Sequence, residues 1–150
     1  GPIKLDVMCT ADGPKVLEAT ARLSGGWDSQ WTSPATGRHP MRQLVQLACG
    51  LPVDPQGDAQ GAAACAAILP QKVGMLIARP IGYTGAKVVW TIKPGERIAP
   101  ATHNGERAGY VLAKGPSAAA AWGFASQAAE DLVAVLEAET EGDADAEISD

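Results

Sequence analysis

Residues 3–9 alternate: Ile3, Leu5 and Val7 share one face of an extended segment, and Lys4, Asp6 and Met8 share the other, which predicts a strand. Asp12-Gly13-Pro14 carries the residue types of a turn, and Lys15-Val16-Leu17-Glu18-Ala19 reads as the returning strand of a hairpin. A Gly- and Ser-rich loop follows from Ser24 to Gly37. Pro40 then opens a helix whose apolar face is Met41, Leu44, Val45, Leu47 and Ala48, with Gly50 as its stop. Prolines and glycines at Pro52, Pro55, Gly57 and Gly61 make residues 53–61 a linker.

Beyond it the pattern returns to short strands. These are expected at Ala63–Leu69, Val73–Ala78, Lys87–Ile92 and Tyr110–Ala113, with a tight turn at Lys93-Pro94-Gly95-Glu96. The last element reads as a long helix. Ser117 is its N-cap, and Trp122, Ala125, Ala129, Leu132, Val133 and Leu136 form one buried stripe at helical spacing. Residues 139–150 have no stripe and read as a disordered acidic tail. The whole predicts an α+β chain: residues 1–52 as an antiparallel hairpin with a helix, and residues 62–138 as a small β-rich lobe closed by the terminal helix.

Composition changes this picture in three ways. Alanine dominates the apolar residues and aromatics are only 5%, so the core should be built of small side chains, with Trp27, Trp31, Trp90 and Trp122 as its few large pieces. Six of the 17 acidic residues lie from Glu139 onward, leaving eleven against 12 basic residues in the body, so the net charge of -5 belongs to the tail. No basic stripe with interleaved aromatics is present, which argues against nucleic acid as a partner. Cys9, Cys49 and Cys65 are odd in number and widely spaced, and read as reduced thiols of a cytoplasmic protein. No apolar run reaches membrane-spanning length.

The candidate chemistry sits between Lys4 and Gly26. A tight hairpin can set Asp6 and Glu18 on neighbouring strands with their side chains close. Two such carboxylates repel unless a cation lies between them. Magnesium suits that geometry, because it takes one or two carboxylates and completes its shell with nucleotide phosphates. Arg22, four residues past Glu18, offers a planar fork suited to a phosphate or acyl phosphate. Ser24-Gly25-Gly26 offers backbone N–H groups unobstructed by side chains, and Lys4 shares the face of Asp6 and could meet phosphate. The plainer alternatives remain open on spacing alone: solvent-facing strand carboxylates, a surface lysine, an Arg22–Glu18 surface pair and a flexible turn. Asp28, Ser29 and Gln30 could line a substrate pocket or face water. Arg38 and His39, ahead of the helix, could contact an anion or be solvated. His103, beside Asn104-Gly105, reads as exposed.

The run Asp6, then Glu18-Ala19-Thr20-Ala21-Arg22-Leu23-Ser24-Gly25-Gly26, resembles the magnesium-binding end of ATP-grasp ligases: an acid on one strand, about a dozen residues, then Glu-x-Asn-x-Arg. By that resemblance Asp6 and Glu18 are metal ligands, Arg22 faces the transferred phosphate, and Thr20 stands where the family has an Asn ligand. Leu23-Ser24-Gly25-Gly26-Trp27 and Thr36-Gly37 look like the branch that joins a carboxylate to an amine, which includes L-amino-acid ligases and carbamoyl-phosphate-synthase-like proteins. Lys93-Pro94-Gly95-Glu96-Arg97-Ile98, Arg107-Ala108-Gly109-Tyr110-Val111 and Gly115 look like the small C-terminal lobe of that branch.

The resemblance implies Mg2+ (or Mn2+) as cofactor, ATP as co-substrate, and a small carboxylate and an amine acceptor as partners. It also implies that the chain is a C-terminal portion, inactive by itself, because the adenine-contacting strand, lysines and glycine-rich loop of that family have no counterpart in these residues. The other reading it leaves is a non-catalytic or regulatory half, pairing with a separate ATP-binding chain or with itself. A carrier domain would display a lysine in a tight turn, and Lys72-Val73-Gly74-Met75 and Lys93-Pro94 are poor matches to that.

Overall fold

The computed structural model describes residues 1–25, 33, 35–53, 57–58 and 61–141. The chain divides into two compact units, Gly1–Gly61 and Ala62–Asp150.

In the first unit, β1 (Lys4–Thr10) and β2 (Gly13–Thr20) pair antiparallel. The chain reverses through Ala11 and Asp12 into Gly13, whose φ of 97° needs a residue without a Cβ. Thr10 Oγ1 donates to Gly13 O at 2.7 Å and ties the turn. The register shifts by one residue between Asp6 and Val7: Asp6 lies opposite Glu18, but Val7 lies opposite Val16. The extra residue is Leu17, a β-bulge that steepens the local twist next to the two carboxylates. Helix α1 (Pro40–Ala48) starts on proline, as expected, and ends into Gly50 at φ 67°. None of the described residues of this unit is buried. Leu5, Val16, Leu17, Met41 and Val45 are all more than half exposed.

The second unit holds the core. A three-stranded antiparallel sheet has the order β3 (Ala62–Ile68), β7 (Gly109–Gly115), β5 (Lys87–Trp90). A second small sheet has the order β6 (Arg97–Ile98), β4 (Gly74–Leu76), β8 (Thr140–Glu141). Helix α2 (Ala118–Ala138) packs on β3 and β7. The period of two sends Ala64, Ala66 and Ile68 of β3, and Val111 and Ala113 of β7, to the face under the helix. They meet Ala121, Ala125, Ala128, Ala129, Leu132 and Leu136. Small residues on both sides bring helix and sheet close, and at the strand ends only glycine fits. A Cβ on Gly109 would stand 2.6 Å from Val89 O, and one on Gly115 2.7 Å from Ala121 N. Ser117 caps α2 as read from the sequence, its Oγ accepting from Ala120 N at 3.2 Å.

Three expectations change. Trp122, placed in the buried stripe, is 56% exposed. Ala121 takes the inward position beside Gly115, where an indole would not fit, and one residue on, about 100° around the helix, the Trp122 ring faces outward. The turn at Lys93–Glu96 is present, closed by Glu96 N donating to Lys93 O at 3.1 Å, but it leads into β6, a strand the sequence did not suggest. Thr140 and Glu141, assigned to the tail, pair with β4 instead, and residues 142–150 lie outside the described residues. Trp90 packs against the core as expected, while its indole Nε1 has no hydrogen-bond partner among the described residues. Trp27 and Trp31 lie outside the described residues.

Candidate functional site

The hairpin gathers four polar side chains on one face. Lys4 lies directly opposite Thr20, and Asp6 directly opposite Glu18. Opposed residues of an antiparallel pair project to the same side, and so do residues two apart on one strand. The face reads Lys4 and Asp6 along β1, Thr20 and Glu18 along β2. Lys4, Asp6 and Thr20 are half-buried, and Glu18 is exposed.

Each carboxylate has a partner along its own strand. Lys4 Nζ donates to Asp6 Oδ2 at 2.7 Å, an ion pair with the lysine side chain 22% exposed and the aspartate 44%. Thr20 Oγ1 donates to Glu18 Oε1 at 2.5 Å. The two acids therefore differ electrostatically: Asp6 faces a full positive charge, and Glu18 a neutral hydroxyl. Both partners occur in the sequence at the two-residue spacing that puts side chains on one face of a strand. That spacing is a readable signal for both pairs; in the sequence it puts Lys4 on the face of Asp6, whereas Thr20 enters only through the family resemblance.

Beyond β2 the chain turns. Arg22 N donates to Thr20 O at 2.9 Å, and Arg22 Nη1 donates to Leu23 O at 2.9 Å. The guanidinium lies over the start of the glycine segment, where a Cβ on Gly25 would be 3.9 Å from Arg22 Nη1. Among the described residues Arg22 forms no ion pair, so the alternative of an Arg22–Glu18 surface pair is not what the structure contains; one arm of the fork rests on a carbonyl. Ser24 is half-buried and follows directly. Gly26 and the candidate pocket residues Asp28, Ser29 and Gln30 lie outside the described residues. Beside Leu23 an open, largely apolar groove is lined by Pro2, Pro40, Leu44, Leu47 and Val53. His39 is the N-cap residue of α1 but makes no side-chain cap bond.

The remaining polar clusters belong to the second unit and brace its loops. Tyr83 Oη donates to Asp131 Oδ2 at 2.6 Å, Gln127 Nε2 donates to Asp131 Oδ1 at 3.0 Å, and the Tyr83 ring meets Phe124 edge-on at 6.0 Å. The hydrogen bond to Asp131 holds the Tyr83 phenol above its ordinary value, and the same bond, with that from Gln127, holds the Asp131 carboxyl below its own. Glu106 is held low by the backbone and hydroxyl donors of Thr102. His103 is exposed, as read, and accepts from Gly105 N at 3.1 Å. Lys72 pairs with Glu137 at 3.9 Å.

Among the described residues no group of three or more His, Cys, Asp or Glu side chains could hold a metal. Asp6 and Glu18 are a pair of hard oxygen donors on one face, a set that fits magnesium or manganese when phosphates and water complete the shell. No described helix is long and apolar enough to cross a membrane.

Residues 85–137 match a family described as L-amino acid ligase C-terminal domain 2. That match lies within the second unit. In solved structures, the L-amino acid ligase from Bacillus licheniformis aligns over 95% of this chain and 38% of its own length, with 20% identity and a TM-score of 0.64. Phosphoribosylglycinamide synthetase from Anaerococcus prevotii aligns over 93% of this chain and 36% of its own, with 10% identity and a TM-score of 0.62. No curated protein matches. The chain spans a little over a third of the length of these solved structures, and at such identities the likeness speaks for the fold. The chain has the fold of the C-terminal portion of an ATP-grasp ligase, with residues 85–137 matching L-amino acid ligase C-terminal domain 2.

Proposed function

We propose that this chain is the C-terminal portion of an ATP-dependent carboxylate–amine ligase, working through an acyl phosphate and contributing half of the active site. The observation that carries the reading is the register of the hairpin, which sets Asp6 opposite Glu18 two residues before Thr20 and four before Arg22. The ligase likeness of the solved structures and of residues 85–137 supports the reaction class. Asp6 and Glu18 hold Mg2+ (or Mn2+), with the Thr20 hydroxyl beside them. Bound magnesium supplies counter-charge to the phosphates of ATP. Arg22 turns its unengaged nitrogens toward the transferring phosphoryl group, where a fixed guanidinium stabilises developing charge. Lys4, Ser24, Gly25 and Gly26 meet phosphate oxygens through an ammonium and backbone N–H groups. The substrates are a small carboxylate and an amine, and the compartment is the cytoplasm.

The exposed apolar side chains of the hairpin, Leu5, Val16 and Leu17 among them, favour a second element of the reading: the hairpin works against an ATP-binding portion that covers them. Reconstitution tests both. The 150-residue chain alone releases no phosphate from ATP. Combined with the ATP-binding portion of an L-amino acid ligase, it supports phosphate release that depends on both an amino acid and an amine, and Glu18→Gln or Arg22→Ala lowers that rate by at least about a hundredfold. Turnover by the isolated chain, or reconstituted turnover indifferent to Glu18→Gln, contradicts the proposal.

A further inference from the structure

We propose that Lys4 is a built-in counter-ion of the carboxylate face, occupying Asp6 until a divalent cation displaces it; this rests on the metal-site reading above. The four residues of that face are asymmetric in charge. Lys4 Nζ sits 2.7 Å from Asp6 Oδ2, whereas the donor on Glu18 is the neutral Thr20 hydroxyl. With the lysine in place the face carries one net negative charge; without it, two. A lysine on an exposed strand ordinarily runs its stem outward and keeps its ammonium in water. Here the side chain is only 22% exposed and the ammonium is turned along the strand onto the aspartate.

The chemistry of the group suits an exchangeable occupant. An ammonium is a point charge on a flexible stem, able to leave by side-chain rotation alone, whereas a guanidinium would grip the carboxylate with two parallel bonds. A divalent cation entering between Asp6 and Glu18 takes over the Asp6 oxygen and releases the ammonium. The freed charge then lies beside the cation, repels it, and is relieved by an anion. Lys4 thus lowers affinity for the bare cation and favours the cation that arrives with phosphate. Thr20 acts as a positioning residue in the same state: by donating to Oε1 it fixes the Glu18 carboxylate along its strand and leaves Oε2 for the incoming ion.

The test is titration of the full chain with Mn2+ alone, following the free ion by electron paramagnetic resonance and checking each variant's fold by circular dichroism. Lys4→Gln is expected to bind Mn2+ roughly two- to fivefold tighter than the natural chain, the range of an exposed ion pair's contribution. Lys4→Met serves should Lys4→Gln fail to fold, and Lys4→Arg is expected to show no gain. The gain is expected to vanish when Glu18→Gln is added. If Lys4→Gln matches the natural chain while Glu18→Gln weakens binding, the counter-ion role is overturned and the metal site stands. If neither the natural chain nor Lys4→Gln binds Mn2+, or the gain survives Glu18→Gln, the site reading falls and the counter-ion role with it.

Discussion

At the scale of single residues, the pairs that make up the candidate site are short-range. Lys4–Asp6 and Thr20–Glu18 are two apart in sequence, and the period of a strand is enough to place each pair on one face. Whether Asp6 meets Glu18 was legible only in outline. Their juxtaposition depends on the bulge at Leu17, and an extra residue inside a strand leaves no mark in an alternating pattern. Trp122 was misplaced for a related reason: helical spacing marks a face, but the close approach at Gly115 decides which small residue may point inward. In the second unit the Tyr83–Asp131 bond makes a pH prediction. Asp131, held low, contributes stability that is present above about pH 4 and is lost as pH falls through its lowered value. Tyr83, held high, contributes stability present below about pH 10 and lost as pH rises through its raised value. The melting temperature of the natural chain should therefore exceed that of Tyr83→Phe most in the middle of the range, with the two curves converging at both ends. A gap independent of pH would show that the hydrogen bond has no part in it.

At the scale of elements, what was legible is what repeats. The hairpin, helix α1, the strands β3, β5 and β7, and the capped helix α2 each carry several periods or a cap. The strands β6 and β8 are two residues long and show no period; they exist because β4 offers them a ladder. The end of α2 is fixed by contacts remote in sequence. Glu137 Oε1 accepts from Gln71 N at 2.6 Å and Lys72 N at 3.1 Å, which pins the segment between β3 and β4 to the last turn of the helix, and Ile77 N, just past β4, donates to Glu139 O at 2.9 Å. The Glu137 side chain is only 13% exposed. Glu137→Ala removes two hydrogen bonds to a charged acceptor and is expected to cost about 1–3 kcal/mol in chemical denaturation. Lys72→Ala removes only the long, exposed arm of the pair and should lie within about 0.5 kcal/mol of the natural chain. Equal effects of the two substitutions would refute the backbone clamp.

At the scale of the whole molecule, the buried core and the candidate site fall in different units. All fully buried hydrophobic residues described belong to the second unit, while the first carries the candidate site on a hairpin with no buried residue among those described. Local opening free energy follows buried contact, so native-state hydrogen exchange should find the amides of β7 and of the inner face of α2 opening only by global unfolding, and those of β1 and β2 opening far more readily. Equal protection of both units would contradict that division.

The central claim, that Asp6 and Glu18 form a divalent-cation site, is tested most directly by adding Mn2+ to isotope-labelled chain and mapping paramagnetic broadening of its amide resonances. The rival binder is the acidic stretch from Glu141 to Asp150, which holds five carboxylates and no basic residue. The account predicts broadening centred on Leu5–Val7 and Leu17–Ala19, and its loss in the Asp6→Asn, Glu18→Gln double variant. Broadening confined to the stretch from Glu141 onward, or broadening of the hairpin that persists in the double variant, would contradict it.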